Sequence, residues 1–330
     1  MNSAEELGER GVIETILRYL ELPSNMPISF GDDVSALDVG HGKLAVIKTD
    51  MLVGRTDVPS GMSFWQGARK AVVMNISDLA AKGVQPIAIL ASLGIPRGLT
   101  KKDIEEIGKG LNAGAREYNA YVLGGDTNEA SDLIISCTAF GTCRKQFIMK
   151  RSGAKPNDIV AVTNFFGKTS SGLKILLEKL SAPKKLEKLL VDSVLMPQAR
   201  LKEGLALVQT GAVTASIDSS DGLAWSLHEL SRASNVGFHI DNLPIARETE
   251  EFAKIHNLDS MELCLYGGEE YELVLTINPK FWEKAQDAVL HVGGLLIRIG
   301  TATKEKTLIF KINSKTLEIE PRGWEHFKTD

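Results

Sequence analysis

The sequence predicts an α/β protein of two domains, each with a mixed sheet. Three observations support this fold class. The chain has 330 residues, a length that favours about two hydrophobic cores. Apolar runs of strand length alternate with runs of helical spacing. This alternation stops at a basic, turn-rich stretch, residues 150–158, and then begins again. We therefore expect one domain at 1–149 and a second at 150–330.

The first half reads as helix, strand, helix, strand, helix, strand, strand. One helix is expected to end near residue 20, a second to span 63–83 with a glycine cap, and a third to begin at a capping box of Thr100 and Asp103. Its strands are expected at 43–49, 86–95, 121–126 and 133–143.

The second half again mixes strands with helices. Its strands are expected at 159–164, 213–218, 237–241, 271–277, 294–300 and 308–312, with a helix at 223–234 and further helices between the other strands. Neither half shows a repeat of solenoid length.

Composition excludes several classes of function. The formal net charge of −4 gives no basic field for a nucleic acid. The N-terminal segment lacks the basic and apolar regions of a signal peptide, and no apolar stretch approaches the roughly 20 residues that span a bilayer. Cys137, Cys143 and Cys264 follow no CxxC spacing and are expected to be reduced thiols. We expect a cytoplasmic protein without membrane or nucleic-acid partners.

Two familiar kinds of site lack support. The stretch Gly167-Lys168-Thr169 resembles the end of a P-loop, but the glycine that a P-loop needs five positions earlier is Val162. A turn into a helix, with Thr169 near the cap, is the better interpretation. The six histidines have no zinc-ligand spacing.

Acidic residues recur where apolar runs end. Asp33, Asp50, Asp126 and Asp218 lie at or near such ends, and Asp78 lies on the face of helix 63–83 opposite its apolar stripe. A single aspartate there is most often a helix cap or turn residue, and Asp221 fits that role. The whole set suggests a ligand site, because ligand sites of α/β sheets form at strand ends.

Convergent carboxylates would need cations. At about 4 Å each pair repels by roughly 4 kcal/mol at moderate dielectric, and Mg²⁺ is the natural counterion because it prefers carboxylate and phosphate oxygens. The glycines before Asp126 would let backbone N–H groups approach a phosphate. Arg151 is either a phosphate contact or part of a solvated linker. The residues thus predict a magnesium-dependent enzyme that acts on a polyphosphate, most simply ATP.

Eight segments in register carry a family resemblance: GDDVSALD, KTDMLV, NISDLAAKGVQP, LGGDT, RSGAKPND, DSSDGL, GGEEYEL and RGWEHF. Together they resemble thiamine-monophosphate kinases, members of the aminoimidazole-ribonucleotide synthetase-like ATP-binding superfamily. The resemblance implies phosphorylation of thiamine monophosphate by ATP to give thiamine diphosphate. It also implies a homodimer in which the N-terminal sheets of two subunits form a β-barrel, with ATP and several Mg²⁺ ions between the N-terminal domain and the C-terminal α/β domain.

The resemblance also implies residue roles. The implied magnesium ligands are Asp33, Thr49, Asp50, Asp78, Asp126, Asp218 and Asp221. The implied ATP contacts are Gly125, Asp126, Arg151 and Ser220, and the implied substrate contacts are Asp57, Glu269 and Trp324. We expect Asp78 and Asp126 to matter most for catalysis, in a direct in-line transfer without a phosphoenzyme.

Two positions depart from the family pattern, and the stretch GRTDVP (54–59) differs from versions that carry a histidine. Lys48 precedes Thr49 where relatives often have serine, so a metal contact there would come from the Lys48 carbonyl; Glu270 replaces the usual aspartate. Two alternatives stay open. One is another ATP-using reaction of the superfamily, such as selenophosphate or purine-ring synthesis, although the reactive cysteine of selenophosphate synthetases has no counterpart here. The other is a non-catalytic nucleotide sensor.

Overall fold

The first half of the chain builds a mixed sheet with helices on one face. The computed structural model describes residues 3–312 and 315–327. The strands of this sheet are β1 (Ser35–Asp38), β2 (Lys43–Val53), β3 (Pro86–Ile95), β4 (Tyr121–Glu129) and β5 (Ile134–Arg144). The helices are α1 (Ala4–Leu17), α2 (Gly54–Asp57), α3 (Phe64–Ala81) and α4 (Lys101–Glu117). The strand order is β1-β2-β5-β3-β4, and only the β3–β4 pair is parallel.

The second half builds a larger mixed sheet. Its strands are β6 (Ile159–Thr163), β7 (Val213–Ser219), β8 (Gly237–Ile240), β9 (Glu272–Ile277), β10 (Leu296–Thr303), β11 (Leu308–Ile312) and β12 (Lys315–Glu318). Its helices are α5 (Lys168–Glu178), α6 (Lys184–Leu195), α7 (Leu201–Thr210), α8 (Leu223–Ser234), α9 (Arg247–His256), α10 (Ser260–Leu265) and α11 (Trp282–His291). The order is β12-β11-β8-β10-β6-β9-β7. The predicted class, two mixed α/β sheets, is confirmed.

Local sequence explains where the helices of the first half begin and end. Ser63 and Thr100 cap α3 and α4 through capping boxes with Gln66 and Asp103, so the predicted box at Thr100 is confirmed. Gly83 follows α3 with a φ of 66°, and a β-carbon there would lie 2.5 Å from Val208. Only glycine fits this turn.

Helix α3 joins the two halves. Its apolar side packs on β2, β5 and α4, while its other side packs on α7 and β7 of the second half. As a result 14 of its residues are buried, including Asn75 and Asp78 of the predicted polar face, and Lys82 at its C-terminal cap is buried as well. That face is therefore polar but not solvated, and its groups must find partners inside the protein.

The first sheet leaves its other face open. Alternation along the strands places buried residues on the helix side and exposes Leu37, Met51, Leu90 and Tyr121, each 50% or more accessible, on the opposite side. This open face resembles half of a sandwich that lacks its second layer. No helix within residues 3–312 and 315–327 has the length and apolar character needed to cross a bilayer.

Candidate active site

Three aspartates that are distant in sequence meet where the two halves join. Asp33 lies in the loop before β1, Asp78 on α3 and Asp218 at the end of β7, and their carboxylate oxygens lie within 4.8 Å of one another. All three residues are at most 5% exposed. The structure thus brings together three of the residues that the sequence singled out.

Helix α3 sets much of this geometry. Its Ser77 hydroxyl donates a 2.9 Å hydrogen bond to Asp218 Oδ2, which ties the helix to β7. Two residues earlier, Asn75 Oδ1 accepts a 3.0 Å bond from the backbone N–H of Asp50 on β2. Asp50 and Asp78 are thereby fixed on the same side of the cluster.

Lys48 is the residue that sequence reasoning missed here. Its Nζ lies 3.1 Å from Asp50 Oδ1 and 3.2 Å from Asp78 Oδ2, so its side chain, and not only its carbonyl, belongs to the site. The available signal was the strand period: residues two apart on β2 point to the same face. Lys48 therefore had to share the face of Asp50.

A second group of cations holds Asp33. The fully buried Lys82 places Nζ 2.6 Å from Asp32 Oδ1, 2.8 Å from Asp33 Oδ2 and 2.7 Å from the Ser216 carbonyl oxygen. Arg151 Nε donates to Asp33 Oδ1 at 2.6 Å, and its Nη1 donates to the Gly31 carbonyl at 2.8 Å. Arg151, predicted to contact ATP, thus pairs with a predicted metal ligand in the chain alone.

The pKa shifts have opposite directions on the two sides of the cluster. Burial opposes ionisation of Asp33, but Arg151 and Lys82 outweigh it and hold the pKa of Asp33 below its usual value. Burial and the neighbouring carboxylates raise the pKa of Asp78 well above its usual value, because Lys48 alone does not offset them. Burial, then Asp33, raises the pKa of Asp218 to about 6. The Asp78 and Asp218 side of the cluster, with Lys48, therefore has less compensating positive charge than the Asp33 side, with Lys82 and Arg151.

The turn that carries Asp218 also anchors two of the predicted substrate residues. The backbone N–H of Glu269 donates to the Ser220 carbonyl at 2.6 Å, and that of Trp324 donates to the Asp221 carbonyl at 3.1 Å. Burial, followed by Asp218 and Glu9, raises the pKa of Asp221 to about 7. The carboxylate cluster and the predicted substrate side are thus adjacent.

Lys70 links the remaining substrate position to Glu269. It is buried on α3, donates to the Asp57 carbonyl at 3.1 Å and forms an ion pair with Glu269 Oε1. Glu269 has a φ of 63°, and its buried Oε2 has no hydrogen-bond partner among the described residues. A strained backbone and an unpaired oxygen are typical of a residue held ready for a ligand. The carboxylate of Asp57 itself accepts from the Val53 N–H at 2.7 Å.

Asp126 and Gly125 lie apart from the cluster within one chain. Register places Asp50, Cys137, Ala91 and Gly125 in one row across β2, β5, β3 and β4. At about 4.8 Å per strand, Gly125 is roughly 14 Å from Asp50 along the sheet. Asp126 is exposed and pairs with Ser92, so it lies on the open face, opposite to Asp50.

Thr49 also belongs to the open face. Its hydroxyl donates to the Cys137 carbonyl at 3.1 Å within the sheet. Gly125 must be glycine, because a β-carbon there would lie 1.7 Å from the Ala91 carbonyl oxygen. The roles of Thr49, Gly125 and Asp126 stay predictions.

The P-loop-like stretch is a capped helix start. Gly167 is the N-cap of α5, and the buried Glu270 carboxylate accepts from the N–H groups of Gly167 at 2.6 Å and Thr169 at 3.3 Å. Burial raises the pKa of Glu270 to about 7 despite these bonds. The positive end of this helix thus receives an internal carboxylate.

The cysteines at 137, 143 and 264 are free, as expected.

Comparison with known proteins identifies the family of the chain. Family models described as AIR synthase related protein match the chain twice, with the N-terminal domain at residues 31–143 and the C-terminal domain at residues 159–313. Thiamine-monophosphate kinase of Pyrococcus horikoshii is 36% identical over 317 residues, 96% of each chain. That of Nitrosopumilus maritimus is 35% identical over 283 residues, which cover 86% of this chain and 89% of the relative.

Solved structures share the whole architecture. One described as AaThiL complexed with AMPPCP and TMP has a TM-score of 0.86 at 26% identity and covers 99% of both chains. The protein tt0281 of Thermus thermophilus has a TM-score of 0.84 at 28% identity, covering 93% of this chain and 97% of that one. E. coli HypE, a hydrogenase maturation protein, shares the fold alone, with a TM-score of 0.69 at 18% identity, covering 94% of this chain and 97% of that one.

The two family models, which match the two mixed sheets in turn, show an AIR synthase-related protein. Its kinase relatives show that the class of molecule is an enzyme. Within that class, identities of 35% and 36% over most of the chain show the family. The chain belongs to the thiamine-monophosphate kinase family.

Proposed function

We propose that this protein uses ATP to phosphorylate thiamine monophosphate, giving thiamine diphosphate and ADP. The observation that carries the proposal is the meeting of Asp33, Asp78 and Asp218 within 4.8 Å, beside the turn that anchors Glu269 and Trp324. The names of the relatives and the AaThiL complex with AMPPCP and TMP support the same pair of substrates.

The carboxylate cluster fits Mg²⁺. Its donors are carboxylate oxygens, the ligands that this ion prefers, and a bound cation would offset the burial and the mutual repulsion that raise the pKa values of Asp78 and Asp218. Asp78 and Asp218 would hold the ion most directly, because Lys82 and Arg151 already pair with Asp33. Mg²⁺ bound there would neutralise the charge that develops on the transferring phosphoryl group.

Transfer is expected to be direct. An oxygen of the thiamine monophosphate phosphate forms a bond to the γ-phosphorus of ATP while the bond from that phosphorus to the β–γ bridging oxygen breaks, and ADP leaves. A phosphate monoester is largely ionised near neutral pH, so the attacking oxygen needs no general base. The protein contributes positioning and electrostatic stabilisation.

The substrate side consists of Asp57, Glu269 and Trp324. Trp324 is 56% exposed beside the acidic turn, so its ring is accessible for stacking on an aromatic ring of the thiamine moiety. Glu269 offers the unpaired Oε2, an acceptor for a donor group of the substrate. Lys70 would orient Glu269 through their ion pair.

We further propose a homodimer in which the open faces of two first sheets pack together. Leu37, Met51, Leu90 and Tyr121 supply an apolar surface for this contact. Asp126 lies on the open face, roughly 14 Å across the sheet from Asp50, and in this dimer it would act on the cluster of the other subunit. Gly125, Asp126 and Thr49 would then line the nucleotide site from both subunits.

The test is an assay of purified protein with ATP, Mg²⁺ and thiamine monophosphate, with free thiamine as the control acceptor. The expected product is thiamine diphosphate, formed with equimolar ADP and only in the presence of the divalent ion. Absence of this product would reject the proposal and leave a nucleotide sensor or another superfamily reaction. Phosphorylation of free thiamine alone would indicate a different kinase.

A further inference from the structure

The position of Lys48 among the carboxylates suggests a role that no predicted site residue fills. Its Nζ contacts Asp50 Oδ1 at 3.1 Å and Asp78 Oδ2 at 3.2 Å, hydrogen-bond distances for an ammonium group. An Mg²⁺ ion shared by these two oxygens would need both within about 2.1 Å. The ammonium and a bridging ion therefore compete for the same space.

Lys48 is also fixed in place. It lies on β2 two residues before Asp50, with Lys48 paired to Ala139 and Asp50 to Cys137 of β5. Its side chain is 22% exposed and reaches Asp78 from the strand that carries Asp50. The backbone thus places the Lys48 side chain on the same face of β2 as Asp50, within reach of Asp78.

The balance of charge points in the same direction. Lys48 is the cation that pairs with Asp50 and Asp78, whereas Lys82 and Arg151 pair with Asp33. Loss of Lys48 would leave one more uncompensated negative charge between Asp50 and Asp78, and a divalent ion at that place would be favoured.

We infer that Lys48 is a built-in cation that takes the place of one divalent ion between Asp50 and Asp78, so that this cluster binds one ion fewer than its carboxylates alone would allow. The inference rests on the proposed use of the cluster as a metal site. It makes Lys48 a positioning residue, because it acts on the nucleotide through the carboxylates that it orients.

The experiment counts bound Mn²⁺ by the loss of its free EPR signal, with the metal alone and again with AMPPCP. Lys48→Met removes the charge at similar length, Lys48→Gln removes it while keeping a polar end, and Lys48→Arg keeps it. Both neutral variants should bind one more Mn²⁺ per chain than the wild type, and Lys48→Arg should match the wild type. Lys145→Met, which removes an exposed lysine paired with Asp38, is the matched control and should change nothing.

A second readout uses no nucleotide. In EDTA the neutral variants should melt at a lower temperature than the wild type, and added Mg²⁺ should raise their melting temperature by more, because the extra ion binds only the folded state. An unchanged Mn²⁺ count in the neutral variants would overturn the inference, as would an absence of bound Mn²⁺ in every variant. Neither readout involves thiamine monophosphate, so failure here is distinct from failure of the kinase assay.

Discussion

Ser77 on α3 donates a hydrogen bond of 2.9 Å to Asp218 at the end of β7, so one buried contact joins the two halves of the chain at the carboxylate cluster. Both residues are at most 4% exposed. The bond favours the ionised form of Asp218, which burial otherwise disfavours. The same contact therefore stabilises the fold and prepares a metal ligand.

Ser77→Ala should weaken both functions of this bond. Leaving Asp218 without its donor should lower the free energy of unfolding by about 1–3 kcal/mol. The pKa of Asp218 should rise further, so Mg²⁺ should bind several-fold more weakly near neutral pH. Denaturant unfolding and calorimetric Mg²⁺ titration measure the two effects. Ser193→Ala is the control, since that hydroxyl donates to the Leu190 carbonyl within its own helix, α6. Equal metal affinity in both variants would contradict the assignment of Asp218.

Stability should fall as pH rises when no metal is present. In the folded chain the pKa is about 6 for Asp218 and about 7 for Asp221, against 3.8 ordinarily. Between the ordinary pKa and these raised pKa values, the folded state binds more protons than the unfolded state. The stabilisation that this proton binding gives is therefore complete below the unfolded pKa, and it is lost as pH rises through the pKa values of the folded chain. In EDTA the melting temperature should therefore decrease from about pH 5 to about pH 8.

Mg²⁺ should remove most of this decrease, because it binds the ionised carboxylates. Asp218→Asn serves as the control and should show a shallower dependence on pH in EDTA. A melting temperature that rises over the same interval in EDTA would show that these carboxyl groups are not protonated by burial.

Lys82→Met should destabilise the chain strongly. This lysine is fully buried and pairs with both Asp32 and Asp33. Its loss leaves Asp33 paired with Arg151, and Asp32 with the backbone N–H of Arg151. Removing one partner of a buried ion pair costs about 3–5 kcal/mol. Chemical denaturation measures the change, with Lys145→Met at the exposed Asp38 pair as the control. A loss no larger than that of the control would mean that Asp33 is satisfied without Lys82.

The class of fold and part of the site could be predicted from the sequence because local physical signals indicate them. Helix α3 was predictable from its period and its Ser63 and Gly83 ends, and Asp78 from its place on the polar face. The strand-end argument was right for Asp218, near the end of β7, but Asp33 precedes β1, and Asp50 and Asp126 lie within β2 and β4. These signals are local, so the sequence of each segment alone is enough to show them.

The parts of the site that could not be predicted from the sequence depend on contacts between distant segments. Lys82 and Arg151 pair with Asp33 across 49 and 118 positions, and nothing near any of them in the sequence selects that partner. The polar face of α3 could be read from the sequence, but its burial by α7 and β7 could not. Strand β1 has only four residues, too few for its alternation to stand out.

Mixed dimers should test whether Asp126 acts on the cluster of the other subunit. We expect Asp78→Asn and Asp126→Asn each to abolish most turnover as homodimers. After random subunit exchange, half of the dimers carry one chain of each kind, and one of their two sites has both aspartates intact if the site is shared between subunits. Activity should then recover to roughly a quarter of the wild-type value, as two-fold symmetry requires. If Asp126 acts within its own chain, every site keeps one defect and the mixture stays inactive. Mixing either variant with its own kind under the same exchange conditions is the control, and light scattering checks that the chain is a dimer throughout.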